Sequence, residues 1–307
     1  MDAMIFASGM AAATCVFLSL TPGDHVVAPR VMYWALRNWL AKDSHLAVSF
    51  VDPGDTDAFQ QALIPERTRL VWIETPANPS WDVTDIKAVA EMAHRAGAQV
   101  AVDSTVATPV FTRPLALGAD LVMHSATKYL NGHSDIVAGA LVAREVNTQW
   151  QRLKALRVQL GSILGSFESY LLTRGMRTLF PRVRLAAANA LELARRLKNH
   201  PNIEQVFYPG LPEFPGHDIA RRQMHDGFGA MLSIRIQGGE AAAIAAAGKL
   251  RVWKRATSLG GVESLVEHRA SIEGPDSPCP RDLLRLSVGI ENVEDLYTDL
   301  TLALRTA

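Results

Sequence analysis

Several features are scarce or missing in this chain of 307 residues. Cysteine occurs twice, at Cys15 and Cys279, which supplies neither a disulfide framework nor a metal-ligand set. Neither charge is in excess. Lys and Arg number 31, as do Asp and Glu, so composition points to neither nucleic acid nor an anionic membrane surface as a partner. The longest apolar candidate, around Ala11–Leu20, is interrupted by Thr14 and Ser19 and is too short to span a membrane. The opening Met1-Asp2-Ala3-Met4 lacks the basic residues that begin a secretory leader. A G-x-G-x-x-G turn after a strand is missing, and Gly227–Gly229 does not make one. Gly248-Lys249 is followed by Leu250, which rules out a phosphate loop of the nucleotide-binding kind. His124, His133 and His217 lack metal-ligand spacing and read as structural histidines. The expectation is a cytoplasmic protein, in a reducing setting, without a metal, nucleic acid or membrane partner.

The chain is 48% hydrophobic and 20% charged, enough for a large core and consistent with two domains. Its first half alternates short strand-like runs with helix-like segments. The runs are Met4–Ala7, His25–Ala28, Ala47–Val51, Leu70–Glu74, Gln99–Val102, Leu121–His124 and Ala138–Val142. Helical patterns occupy Met10–Leu20, Tyr33–Ala41, Asp57–Leu63 and Val83–Ala96, with Pro-Gly and Gly breakers at the junctions. Such alternation predicts an α/β fold with a mainly parallel central sheet and helices on both faces. Asn147 to about Leu197 reads as helical, divided by Gly161, Gly165 and Pro181. A second, smaller α/β pattern begins at Ile203 and continues through Met231–Ile236, Glu240–Leu250, Leu284–Val288 and Glu294–Arg305. The domain boundary is placed near Thr178, giving a large domain over 1–177 and a C-terminal domain over 178–307.

The chemistry concentrates at the ends of the strand-like runs. After Leu121–His124 come Ser125-Ala126-Thr127-Lys128, two hydroxyls flanking a lysine at a strand end, where open α/β sheets bind ligands. An amine beside a phosphate-sized anion site is what pyridoxal phosphate (PLP) requires; a solvated lysine with two capping hydroxyls is the plain alternative. Ser8-Gly9-Met10 opens a helix after a strand, and free amides at a helix start bind phosphate, although Ser8 can equally be an ordinary N-cap. Tyr33 can stack on a planar ring or belong to a core helix with Leu36 and Trp39. Asn78, between Pro76 and Pro79, can offer its amide to a ring oxygen, though an Asn-Pro turn explains it as well. Asp103 ends an apolar run; its carboxylate would keep a pyridine nitrogen protonated. With Lys128 at a second strand end 25 residues on, that role is the better account of Asp103 than a turn cap. Arg285 interrupts the apolar run Leu284–Val288, and such an arginine pairs either with a substrate carboxylate or with an internal acid.

Taken together, these segments resemble the Cys/Met-metabolism PLP enzymes, the family of cystathionine γ-synthase, the cystathionine lyases and methionine γ-lyase. The resemblance is carried by Ser8–Ala12, Glu74-Thr75-Pro76-Ala77-Asn78-Pro79, Val102–Thr105, His124–Asp135, Ser258–Leu265 and Arg285–Glu291, and runs along nearly the whole chain. It implies the fold-type I PLP-dependent transferase architecture, pyridoxal 5'-phosphate as cofactor, and Lys128 as the lysine that bonds to it. Gly9, Met10, Ser125 and Thr127 would hold the phosphate, Tyr33 would stack on the ring and assist proton transfer, Asn78 would approach the ring oxygen, and Asp103 would pair with the ring nitrogen. Ser264 and Arg285 would bind a small amino-acid substrate. The family also implies a homo-oligomer, a dimer of dimers with active sites at the dimer interface.

The chain departs from the family pattern in three places. The N-terminal arm that normally precedes the Ser-Gly-Met motif, carrying a Tyr and an Arg to a neighbour's phosphate, has no counterpart. The chain is then a fragment, a mis-assigned start or a truly shortened form; in the last case the loss of one charged hydrogen bond of about 1.5–3 kcal/mol is expected to weaken cofactor affinity about tenfold to hundredfold. Tyr33-Trp34-Ala35-Leu36 stands where the family has Tyr-Gly-Gly-Thr. Arg269-Ala270-Ser271-Ile272-Glu273-Gly274 stands where it has Pro-Ala-Ser-Met-Thr-His. The expected activity is γ-replacement or γ-elimination on an O-acylhomoserine, cystathionine or methionine. A β-lyase is the alternative within the family, and a catalytically impaired PLP-fold subunit the alternative outside enzymology.

Overall fold

The computed structural model describes residues 1–274 and 279–305. Its elements run β1 (Asp2–Phe6), α1 (Gly9–Leu18), β2 (His25–Pro29), α2 (Trp34–Lys42), β3 (Ala47–Val51), α3 (Thr56–Ala62), β4 (Thr68–Glu74), α4 (Ile86–Arg95), β5 (Gln99–Asp103), α5 (Thr108–Phe111), β6 (Leu121–His124) and β7 (Gly139–Ala143). Three helices follow, α6 (Thr148–Gln159), α7 (Ser166–Met176) and α8 (Leu179–Leu197). The remainder comprises β8 (Ile203–Phe207), α9 (His217–Gln223), β9 (Met231–Ile236), α10 (Gly239–Lys249), β10 (Lys254–Arg255), β11 (Leu265–His268), α11 (Arg269–Glu273), β12 (Leu283–Ser287) and α12 (Val293–Arg305).

Strands β1 to β7 form one sheet in the order β1-β7-β6-β5-β4-β2-β3. The pairs from β6 to β3 are parallel; β1 and β6 each pair antiparallel with β7. Alternate residues on one strand serve opposite layers. Leu70 and Trp72 pack with α1, α2 and α6, whereas Val71 and Ile73 pack with α3 and α4. Burial on both faces explains the near-continuous apolar runs. The last residues of β4 and β5, Glu74 and Asp103, are register partners, and β6 runs parallel beside them into Ser125. The sheet thus gathers three strand ends on one edge.

The second sheet has the order β10-β11-β12-β9-β8, and only β10 pairs parallel. β11 was not among the strand-like runs of the sequence. Pro181 does not divide the helical stretch as expected. It lies in the first turn of α8, where an amide has no intrahelical acceptor to lose. We propose the domain division at Thr178, immediately before α8, since the two sheets lie on opposite sides of it in the chain. One apolar cluster nevertheless joins both parts: Trp81, Phe111 and Tyr129 pack with the second sheet and with α8, α10 and α12. Among the described residues no helix is long and apolar enough to cross a membrane, and no group of three His, Cys, Asp or Glu side chains is placed to hold a metal ion.

Trp81 ties the loop after β4 to the second sheet. It is 1% exposed, and its indole N–H donates to Ser233 Oγ at 2.8 Å. Trp81→Ala is expected to cost about 3–5 kcal/mol, measured by denaturant unfolding; a loss below about 1 kcal/mol contradicts this tie.

Candidate active site

The strand ends open into a cavity of about 230 Å³ between α1, α2 and the loops after β4, β5 and β6. All eight residues expected to hold the cofactor line it: Gly9, Met10, Tyr33, Asn78, Asp103, Ser125, Thr127 and Lys128.

The helix start of α1 and the turn after β6 abut closely. Ser8 caps α1, its hydroxyl accepting from the Ala11 amide at 3.0 Å. Gly9 and Met10, the first two residues, have amides with no carbonyl one turn back. A Cβ on Gly9 would lie 2.8 Å from both Cβ and Oγ of Ser125, so only glycine permits this approach. The Thr127 hydroxyl donates to the Ala138 carbonyl at 3.1 Å and accepts from its amide at 3.0 Å. To serve an anion, it must turn its proton away from that carbonyl.

Asp103 is held from one side by Thr105. Its Oδ1 accepts from the Thr105 amide at 2.9 Å and hydroxyl at 2.5 Å, while that hydroxyl accepts from the Ser125 amide at 2.8 Å. Glu74, which sequence reading passed over in favour of Asn78, also lines the cavity. Its Oε2 accepts from the Tyr33 amide at 2.7 Å and its Oε1 from the Asn78 amide at 3.4 Å. The signal was present: Glu74 ends its strand as Asp103 ends the next. Burial raises both carboxyls above the ordinary range, and Asp103 raises Glu74 further by like charge. Asn78 keeps a buried amide oxygen without a protein partner. Tyr33 is 46% exposed at the cavity rim.

Lys128 Nζ donates to Ser258 Oγ at 3.1 Å. Burial, then the nearby Arg285 charge, push its pKa down to about 8; Glu267 opposes the shift. Arg285 itself is not on the cavity wall but stands behind Ser258. Its Nη2 donates to the Thr257 and Ser258 carbonyls at 2.7 and 2.9 Å, and its Nη1 lies 2.7 Å from Glu267 Oε2. Its Nε, also buried, has no partner. The expectation for Ser264 is corrected. It is fully buried away from the cavity, where its hydroxyl donates to Glu291 Oε2 at 2.7 Å and accepts from the Gly289 amide at 2.8 Å. Its hydroxyl braces the turn after β12, so its place in the motif reflects folding of that turn.

Residues 1–305 match the family of Cys/Met metabolism PLP-dependent enzymes. The chain is 45% identical to cystathionine gamma-synthase of Mycobacterium tuberculosis (strain ATCC 25618 / H37Rv), an alignment covering 98% of this chain and 79% of the relative. Identity to the Escherichia coli (strain K12) cystathionine gamma-synthase is 43%, covering 99% and 81%. The crystal structure of cystathionine gamma synthase from Xanthomonas oryzae pv. oryzae in complex with cystathionine superposes with a TM-score of 0.93 at 43% identity, covering 99% of this chain and 81% of that one.

Two predictions follow from the site's geometry. Gly9→Ala forces α1 and Ser125 apart, and the PLP Kd is expected to rise about tenfold to hundredfold in an absorption titration; unchanged affinity contradicts the close approach. The second concerns pH. Glu74 and Asp103 hold protons in the folded state that the unfolded chain has released, so stability falls as pH rises from about 4 through neutrality. Melting of the cofactor-free protein against pH is expected to show this fall, and Glu74→Gln is expected to flatten it; an identical slope in the variant contradicts the assignment.

Proposed function

The chain belongs to the Cys/Met-metabolism PLP-dependent enzymes, and we propose that within them it carries out γ-type chemistry on a sulfur-containing or O-acylated amino acid, as a cystathionine γ-synthase-like enzyme or γ-lyase. The observation that carries this reading is the meeting, in one cavity, of a desolvated lysine amine, a strand-end carboxylate and a helix start closed against Ser125. The kinship to cystathionine γ-synthases supports the γ-class over a β-lyase.

The residues present fit the cofactor. The close approach at Gly9 leaves the first amides of α1 facing the Ser125 turn, a donor set suited to a phosphate. Asp103 supplies a carboxylate for a protonated ring nitrogen, and Asn78 lines the same cavity. When bound, PLP supplies an electron sink conjugated to the substrate's α-carbon.

In this assignment Lys128 would hold the cofactor and, as a free amine, would move the proton at the substrate's Cα. An amine with a pKa of about 8 is partly neutral at physiological pH and can accept that proton. Ser258 Oγ fixes the amine. A γ-reaction needs a second proton removed at Cβ; Lys128 would serve as that base once it had passed on the first proton, with the Tyr33 hydroxyl as a proton partner at the rim. Arg285, behind Ser258 at the edge of the cavity, is assigned the α-carboxylate, and its buried Nε–H has no protein partner. We also propose a homo-oligomer in which a second copy covers the cavity mouth. Val137, which lines the cavity, is 58% exposed, as are Phe167 and Tyr170 of α7 at 68% and 63%. With two cysteines in the chain, the reading keeps the protein in the cytoplasm.

Lys128→Ala is expected to fold normally and lose turnover by about 10²–10⁴-fold or more; retained turnover refutes the lysine assignment. Incubation of the wild type with an O-acylhomoserine and cysteine is expected to yield cystathionine, or with cystathionine alone 2-oxobutyrate. Pyruvate and homocysteine as the products from cystathionine would overturn the γ-reading.

A further inference from the structure

Two charged residues beside Arg285 have no place in the chemistry above. Arg269 opens α11 and Glu273 closes it, with side chains only 7% and 8% exposed. Arg269 Nε donates to Glu273 Oε1 at 2.7 Å, and its Nη2 lies 2.7 Å from the same oxygen. From its other side, Nη1 reaches Glu267 Oε2 at 3.3 Å. That oxygen is also the one paired with Arg285 Nη1 at 2.7 Å. Arg285, Glu267, Arg269 and Glu273 therefore form a single chain of alternating charge. Every member is less than a tenth exposed.

Such a buried chain is weak ground for stability, because removing four charges from water costs about what their attraction returns. Its geometry has a more specific consequence. A carboxylate paired with one guanidinium neutralises it and competes with any other anion for it. Here Glu267 is shared between two. Arg269 is in turn anchored by Glu273, which fixes the direction in which Glu267 is drawn. Both Arg269 and Glu273 stand where the chain departs from the family's Pro-Ala-Ser-Met-Thr-His pattern.

We propose that Arg269, braced by Glu273, is a positioning residue for substrate recognition: by sharing Glu267 it leaves the Arg285 charge and its free Nε edge available to the carboxylate of an amino-acid substrate. This rests on the assignment of Arg285 as the carboxylate receptor. Arg285 and Glu267 also act in opposite directions on the Lys128 amine, so their balance can be read at that lysine without substrate. The other titratable groups around the amine are Tyr33, Glu74 and Asp103, which line the same cavity, and Tyr129 next in the chain; none changes in the variants below.

The test is the double variant Arg269→Met/Glu273→Leu, which removes both charges of the pair together and leaves Glu267 paired with Arg285. In the cofactor-free protein, the rate of reductive methylation of Lys128 by formaldehyde and cyanoborohydride is followed against pH by peptide mass. The midpoint is expected to rise by about one pH unit as Glu267, no longer shared with Arg269, sets its whole charge against Arg285. In the PLP-loaded enzyme, KM for the amino acid is expected to rise about tenfold with kcat within about threefold. Arg269→Lys should largely preserve both values. If the double variant does not fold, Arg269→Gln/Glu273→Gln carries the same expectations with side chains of similar length. A folded double variant with an unchanged Lys128 midpoint and unchanged KM overturns the proposal. Arg285→Met separates the two levels. If it raises KM and the double variant does not, only the role of Arg269 falls; if it leaves KM unchanged, the carboxylate receptor itself is misassigned and the proposal falls with it.

Discussion

Parallel pairing of β4, β5 and β6 is the constraint on which the rest of the molecule depends. Parallel strands end on the same edge of a sheet, and their last residues are offset by pairing register alone. Glu74 and Asp103 are partners in that register, and the chain leaving β6 turns at once through Ser125 to Lys128. Three ionisable side chains are thereby delivered to one cavity by backbone hydrogen bonding. Helices on both faces of the sheet keep that cavity's floor dry.

Dryness is what gives these groups their chemistry. An amine and two carboxyls in water would sit at ordinary pKa values; at the strand ends they move toward neutrality, the lysine down and the acids up. Charges brought in by a cofactor phosphate, a ring nitrogen and an amino-acid carboxylate meet a site already arranged to receive them. The cost of that arrangement falls on the second sheet, where Arg285 is held among Glu267 and two carbonyls in a fully buried position.

Much of this was legible in the sequence, for identifiable reasons. Short apolar runs ended by Asp103 or by Ser125–Lys128 announced strands and their chemistry together, because a strand buried on both faces must be apolar until it reaches the edge. Ala47–Val51, Leu121–His124 and Met231–Ile236 came out with their observed limits. What was not legible depends on partners distant in the chain. Ser264 carries a hydroxyl in the family motif, but only the fold shows that Glu291 and Gly289 consume it. Glu74 ends its strand as Asp103 ends the next, but its partners, the backbone amides of Tyr33 and Asn78, are visible only in the fold. Pro181 was read as a breaker, since sequence alone does not distinguish the first turn of a helix from its middle. The Arg269–Glu273 pair was visible as a departure from the family pattern, but its link to Arg285 through Glu267 was not.

The account stands or falls on Lys128 as the residue that holds the cofactor, and the most direct measurement is chemical. The purified protein is incubated with PLP, desalted, its visible absorption recorded, and the adduct fixed with borohydride and located by peptide mass. A retained yellow chromophore with the added mass on Lys128 is the predicted result. A colourless protein, or a label on another lysine, would contradict the site described above.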